Sequence, residues 1–171
     1  DCIPRDDFVL AHTKSARENW FLSGGSHIDV PASIHTKLTM DDVANQRVFD
    51  QAWLQSRGMR SRKYRWRLSR NERVSSWLNL LTPRPGVLVG CNSSAWKKDV
   101  LDVNGFDATS SYGSDDLELG ARMTNNGVKS KRLKYSLICV HQSHDKSYAK
   151  EQIEQNKRKL REIRAKRIRW I

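Results

Sequence analysis

Nowhere in its 171 residues does the chain carry the ~18 uninterrupted apolar residues that a membrane-spanning helix needs. Its opening, Asp1-Cys2-Ile3-Pro4-Arg5-Asp6, has no apolar stretch of the kind that a secretory signal requires. A soluble or peripheral, cytoplasmic protein is the expectation. Cysteine is scarce as well: Cys2, Cys91 and Cys139 cannot all pair, and their spacing fits no metal motif. A disulfide framework is excluded, and buried free thiols in a reducing compartment are expected. At 37% hydrophobic residues the chain is long enough for one domain with a real core and too short for two.

Acids are the other shortage. Nineteen of them face 31 lysines and arginines, a net charge of +12, which implies an anionic partner such as nucleic acid, a phospholipid surface or a phosphorylated substrate. The imbalance is local. Residues 57–73 hold eight basic side chains against Glu72 alone, and residues 145–171 hold ten against four acids. Tyr64 and Trp66 interleave with the first basic run as they would on an RNA-stacking surface, but no RRM, KH or zinc-finger signature accompanies them. Nucleic acid is therefore the weaker reading, and an anionic membrane surface remains open for the tail.

Along the chain, residues 8–12 read as a helix or strand edge, and residues 20–25 as a short strand with a turn. Thr39 caps a helix with Asp41 and Asp42 in its first turn, Arg57 in its last and Gly58 as its stop. Pro83 and Pro85 break the chain before Val87-Leu88-Val89, which reads as a buried strand. Ser93 or Ser94 then starts a helix ending near Asn104-Gly105, and Ser114 caps another that runs to Asn126-Gly127. Residues 134–141 are the expected last strand. The tail reads as a basic helix with Ile153, Leu160, Ile163 and Trp170 near heptad spacing.

Within this order, Asn104-Gly105-Phe106-Asp107, Tyr112-Gly113-Ser114-Asp115-Asp116-Leu117-Glu118-Leu119 and the closing pair His141 and His144 form a motif set. It resembles the acceptor-side half of GT-A glycosyltransferases, specifically bacterial family 2 enzymes whose C-terminal part is shared with the galactosyltransferases. The resemblance implies an α/β fold: the C-terminal, acceptor-side portion of a Rossmann-like GT-A domain over residues 1–144, with a basic amphipathic helical tail over 145–171. Asp1-Cys2-Ile3-Pro4 resembles the end of that family's Asp-x-Asp metal motif, which would put the nucleotide-binding half upstream of this sequence.

Acids at a helix start complement its dipole and are common for that reason alone. The resemblance gives the pair a role, with Asp116 as the general base and Asp115 binding acceptor hydroxyls. Asp115 stands where glutamate is usual and Tyr112 where tryptophan is usual, and the shorter carboxylate shifts its oxygens by roughly one bond length. Gly90 and Asn92, between a strand and a helix, would lie under the donor, with Asn92 hydrogen-bonding sugar or diphosphate. Trp96 and Tyr112, beside Gly113, can stack on a sugar ring or pack in core or rim. Two histidines at i, i+3 can share one helical face and bind a metal. The resemblance makes Asp1 and His141, with His144 as the alternative, ligands of Mn²⁺ or Mg²⁺.

Taken together, the resemblance implies a metal-dependent, inverting hexosyltransferase. It would take a nucleotide sugar, a UDP-sugar by family analogy, to a glycan or lipid-linked acceptor in surface polysaccharide or lipopolysaccharide synthesis, peripheral on the inner face of the cytoplasmic membrane. The rival is a non-catalytic basic module, or a truncated transferase remnant, that docks on nucleic acid or anionic membrane. The acidic pair beside a glycine-bearing turn separates them, since an anion binder gains nothing from it.

Overall fold

Two small sheets, each mixing parallel and antiparallel neighbours, frame this α/β chain. A computed structural model describes residues 1–25, 27–59, 64–108, 114–143 and 150–171. In the first sheet the central strand β6 (Cys139–Gln142) pairs antiparallel with β1 (Cys2–Pro4) and parallel with β3 (Ile28–Val30). Alternation does the sorting: Ile3, Ile28, Val30 and Val140 point into a core with Ile34, Val48, Phe49 and Leu54. Burying each such side chain contributes about 1.5–3 kcal/mol, so this cluster anchors the strand ends.

In the second sheet β2 (Trp20–Ser23) lies between β4 (Ser93–Ser94), antiparallel, and β5 (Lys129–Arg132), parallel. Phe21 packs with Leu88, Val103, Leu119, Met123 and Val128, while Leu22 meets Leu133 and Leu137 from the opposite face. The helix α1 (Phe8–Ser15) connects the two sheets.

Several elements differ from the sequence reading, each for a local reason. Thr39 does cap a helix, in a reciprocal capping box with Asp42. The single helix expected through Arg57 is instead three pieces after the short α2 (Ala32–His35): α3 (Met40–Ala44), a 3₁₀ turn (Arg47–Phe49) and α4 (Gln51–Ser56). Gln46 adopts φ +56°, which breaks the helix and turns Val48 and Phe49 into the core, and Asp50 recaps the chain by accepting from Ala52 and Trp53 N–H. The helix α5 (Glu72–Leu81) follows.

Residues 87–89 form no strand. Leu88 is buried against Gly120, where an added Cβ would approach the Leu88 Cβ to 2.8 Å, but Val87 stays exposed. Neither Ser93 nor Ser94 starts a helix. Their hydroxyls serve Val89 N–H and His12 Nδ1, and both residues pair with β2, so α6 begins later (Lys97–Leu101). Ser114 sits at the start of α7 (Asp115–Asn125) without a side-chain capping bond. The strand β5 is polar and carries no apolar pattern that would mark it in the sequence, and the last strand starts only at Cys139.

The basic tail is α8 (Lys150–Ala165), packed on α7. Ile163 is buried, Asn125 Nδ2 donates to the carbonyls of Ile163 and Ile168, and Lys159 pairs with Asp107, whereas Trp170 is exposed. Among the described residues no helix is long and apolar enough to cross a membrane.

Candidate active site

His141 owes its surroundings to strand register. On β6 it lies opposite Cys2 of β1 and Asp29 of β3, two residues far from it in sequence. Its Nδ1 is 3.2 Å from Asp29 Oδ1, and its Nε2 is 3.5 Å from Asp1 Oδ2. His27 adds a second imidazole, with Nε2 at 3.1 Å from the same Asp29 oxygen and its ring 4.3 Å from that of His141. Two sets of three potential ligands therefore share His141: Asp1, Cys2 and His141, and His27, Asp29 and His141, the donor atoms of each lying within 4.8 Å of one another.

The donor set suits a divalent cation of intermediate hardness. Carboxylate oxygen and imidazole nitrogen are ligands that Mn²⁺ accepts readily. With the Nδ1 proton assigned to the Asp29 hydrogen bond, His141 presents Nε2 on the Asp1 side, the arrangement by which a carboxylate orients a ligating histidine. Asp1 and Asp29 are more than half exposed while the His141 side chain is 9% exposed, so a buried nitrogen faces an open carboxylate rim. Burial pushes the Cys2 thiol up to about 11, with Cys91 contributing, so Cys2 is a neutral neighbour rather than a thiolate.

Asp116 of the acidic pair is tied to the loop that also touches His27. Asp116 Oδ2 accepts from Gly90 N–H at 2.9 Å and its Oδ1 from Leu117 N–H at 2.7 Å, which fixes the carboxylate while leaving each oxygen further acceptor capacity. A Cβ at Gly90 would sit 3.8 Å from Asp116 Oδ2, room enough for a side chain that would cover the carboxylate. Asp115 is exposed. Next to Gly90, Cys91 Sγ lies 4.0 Å from His27 Nδ1. Contacts thus run continuously from Asp116 through Gly90, Cys91 and His27 to His141 and Asp1.

Beneath this patch the polar groups are structural. Asn92, expected at the donor, is fully buried: its Nδ2 donates to the Leu137 carbonyl, and its Oδ1 accepts from His12 Nε2 at 3.4 Å. It pins the loop from inside. Gly24 makes room for it, since a Cβ there would come within 2.2 Å of Asn92 Nδ2. Burial holds the His12 imidazole below its ordinary value, consistent with a neutral ring bonded to Asn92 and Ser94. Glu118, third acid of the motif, is also structural. It forms a buried bidentate pair with Arg122, whose guanidinium also donates to the carbonyls of Val103 and Gly105. The Asn104-Gly105 turn, both residues at positive φ, is thereby stapled to α7.

Of the expected site residues, the structure brings Asp1 and His141 together and joins them to Asp116 and Gly90 through the loop. Trp96 is half exposed, with its indole N–H donating to the Arg17 carbonyl beside α1. Tyr112, Gly113 and His144 lie outside the described residues. His27 and Asp29 are site residues that sequence reasoning missed. Their signal is the alternation His27-Ile28-Asp29-Val30, which places both polar side chains on one face of a strand whose other face is buried.

Residues 84–145 match a family model described as the N-terminal domain of galactosyltransferase. The matched segment holds Gly90, Asn92, Trp96, Asp115, Asp116 and His141, so this part of the chain is similar to a galactosyltransferase domain, a likeness that points to glycosyl transfer in the general sense. No curated protein and no solved structure matches the chain.

Proposed function

We propose that the chain is the acceptor-side portion of a metal-dependent, GT-A-type glycosyltransferase of the bacterial family 2 kind, moving a hexose from a UDP-sugar with inversion. The observation that carries this reading is the unbroken line of contacts from Asp116 to the Asp1–His141 pair, a base and a cation-binding rim on one patch.

Asp116 is the general base. As the acceptor hydroxyl oxygen attacks the anomeric carbon, the new C–O bond forms while the bond to the diphosphate oxygen breaks, and the hydroxyl proton passes to an Asp116 oxygen. Such transfer needs the hydroxyl within about 2.6–3.2 Å of the carboxylate. The two backbone N–H groups hold the carboxylate in one orientation, and the small Gly90 leaves its face open. Asp115, exposed one residue earlier, is positioned to bind a second acceptor hydroxyl. Asp1 and His141 would hold a divalent cation, with Asp29 and His27 orienting His141, and the ion would supply charge neutralisation at the nucleoside diphosphate. The net charge of +12 favours an anionic, lipid-linked acceptor at the cytoplasmic membrane face, as in surface-glycan synthesis.

Calorimetric titration of UDP with and without Mn²⁺, followed by a transfer assay with UDP-hexoses, tests the scheme. Metal-dependent UDP binding should disappear with His141→Ala and persist with Asp116→Asn, while transfer by Asp116→Asn falls about 10²–10⁴-fold. UDP binding that ignores Mn²⁺, or transfer undiminished in Asp116→Asn, sinks the proposal.

A further inference from the structure

A cavity of about 900 Å³ has no part in the patch above. It opens beside β2 and β5, and none of the carboxylates or imidazoles of the candidate active site lines it. Its size lies within the roughly 300–1,000 Å³ of small-molecule sites.

Its lining is chemically one-sided. Lys14, Arg17, Arg84, Lys131 and Arg132 contribute five positive charges, and no acid lines the cavity. Only Lys14 has a carboxylate partner among the described residues, Glu72 at 3.6 Å, and both are well exposed. Arg132 stands out, because its Nε is buried and has no hydrogen-bond partner. A buried polar atom on a cation is costly when left unsatisfied, and a guanidinium is best completed by a carboxylate or phosphate. Among the described residues none meets this nitrogen. The rest of the wall joins an aliphatic part, Leu22, Leu80 and Leu133 with Pro83 and Pro85, to a neutral polar part of four serines and Asn79. Leu80 is 75% exposed and leaves apolar surface open at the cavity wall. Trp20 is the one aromatic, and Arg17 and Lys129 already lie 5.4 and 5.8 Å from its ring centroid.

We propose that this cavity binds an amphiphilic anion, a phosphate ester on an aliphatic tail, with the phosphate held by Arg132, Lys131 and Arg84 and the tail against Leu80, Leu133 and the two prolines. The assignment does not depend on the transfer chemistry and stands or falls without it.

Calorimetry with monomeric decyl phosphate is the test, with decanol, inorganic phosphate and UMP as comparators. Decyl phosphate should bind at least about tenfold more tightly than any of the three, since head and tail contribute together. Arg132→Gln and Lys131→Gln should each weaken it about tenfold. Leu80→Ser, at an exposed position that the fold does not need, should weaken it several-fold and leave the thermal unfolding midpoint in place. Equal binding of decanol or inorganic phosphate, or tighter binding of UMP, overturns the proposal. So does binding unchanged in both Lys131→Gln and Leu80→Ser. If anionic phosphatidylglycerol vesicles bind but decyl phosphate does not, the charge serves a surface and the cavity assignment falls.

Discussion

The two sheets divide the chain's chemistry by charge. In the first, β1, β6 and β3 bring Asp1, Asp29, His27 and His141 to one rim, a set of groups that attracts a cation. In the second, β5 presents Lys129, Lys131 and Arg132 beside a cavity with no acid in its wall, a set that attracts an anion. A net charge of +12 hides this division, because the surplus is not spread evenly. The helix α7 packs on the Phe21 side of the second sheet, with Asp116 tied to the Gly90 loop at its start and the chain leading into β5 at its end. Net charge reports a class of partner, whereas the sheet on which each charge lies sets its task.

The widest break of this arrangement is at α7. Arg122→Ala removes the partner of buried Glu118 and the donor to the Val103 and Gly105 carbonyls. Leaving that carboxylate uncompensated should cost about 3–5 kcal/mol, which chemical denaturation will show as a lower midpoint, and both sheets should lose ligand binding together. A loss of stability under ~1 kcal/mol would mean that Glu118 is satisfied without Arg122.

His27→Ala sharpens the contrast, because it touches one sheet only. It removes a second imidazole and the ring packed on His141, so Mn²⁺ affinity should fall about tenfold or more by calorimetry while binding at the basic cavity is unchanged. Equal loss at both places would show that the sheets are not independent.

The smallest expected effect is at the seam, where His12 of α1 bonds Asn92 and Ser94. Burial lowers its proton affinity in the folded state below the ordinary value of 6.5. The unfolded chain therefore binds the proton more readily, so the contribution to stability is whole above pH 6.5 and is lost as pH falls below it. His12→Gln should flatten the fall in unfolding midpoint between neutral pH and about pH 5. An equally steep fall in the variant would assign the acid sensitivity to other groups.

Part of this molecule is legible from residue order. The Thr39 cap, the α7 helix with its acids at the start, the basic final helix and the pairing of Asp1 with His141 can all be read from local patterns or from motif resemblance. The misreadings share one cause. Asn92 reads as a ligand-facing amide because nothing in sequence shows that Leu137 and His12 close over it. Ser93 and Ser94 read as helix starts if their hydroxyls are counted as free, but Val89 and His12 take them.

By itself the sequence determined the charge surplus and its two basic runs, the Thr39 cap, the absence of a long apolar run and the acceptor-like motif, all of which are properties of residues near one another along the chain. Only the tertiary structure decided that His27 and Asp29 join His141, that Asn92 is spent inside, and that five cations surround a cavity without an acid. The physical reason is strand register: a backbone hydrogen-bond ladder between residues more than a hundred positions apart sets which side chains meet, and local propensity carries no information about that pairing.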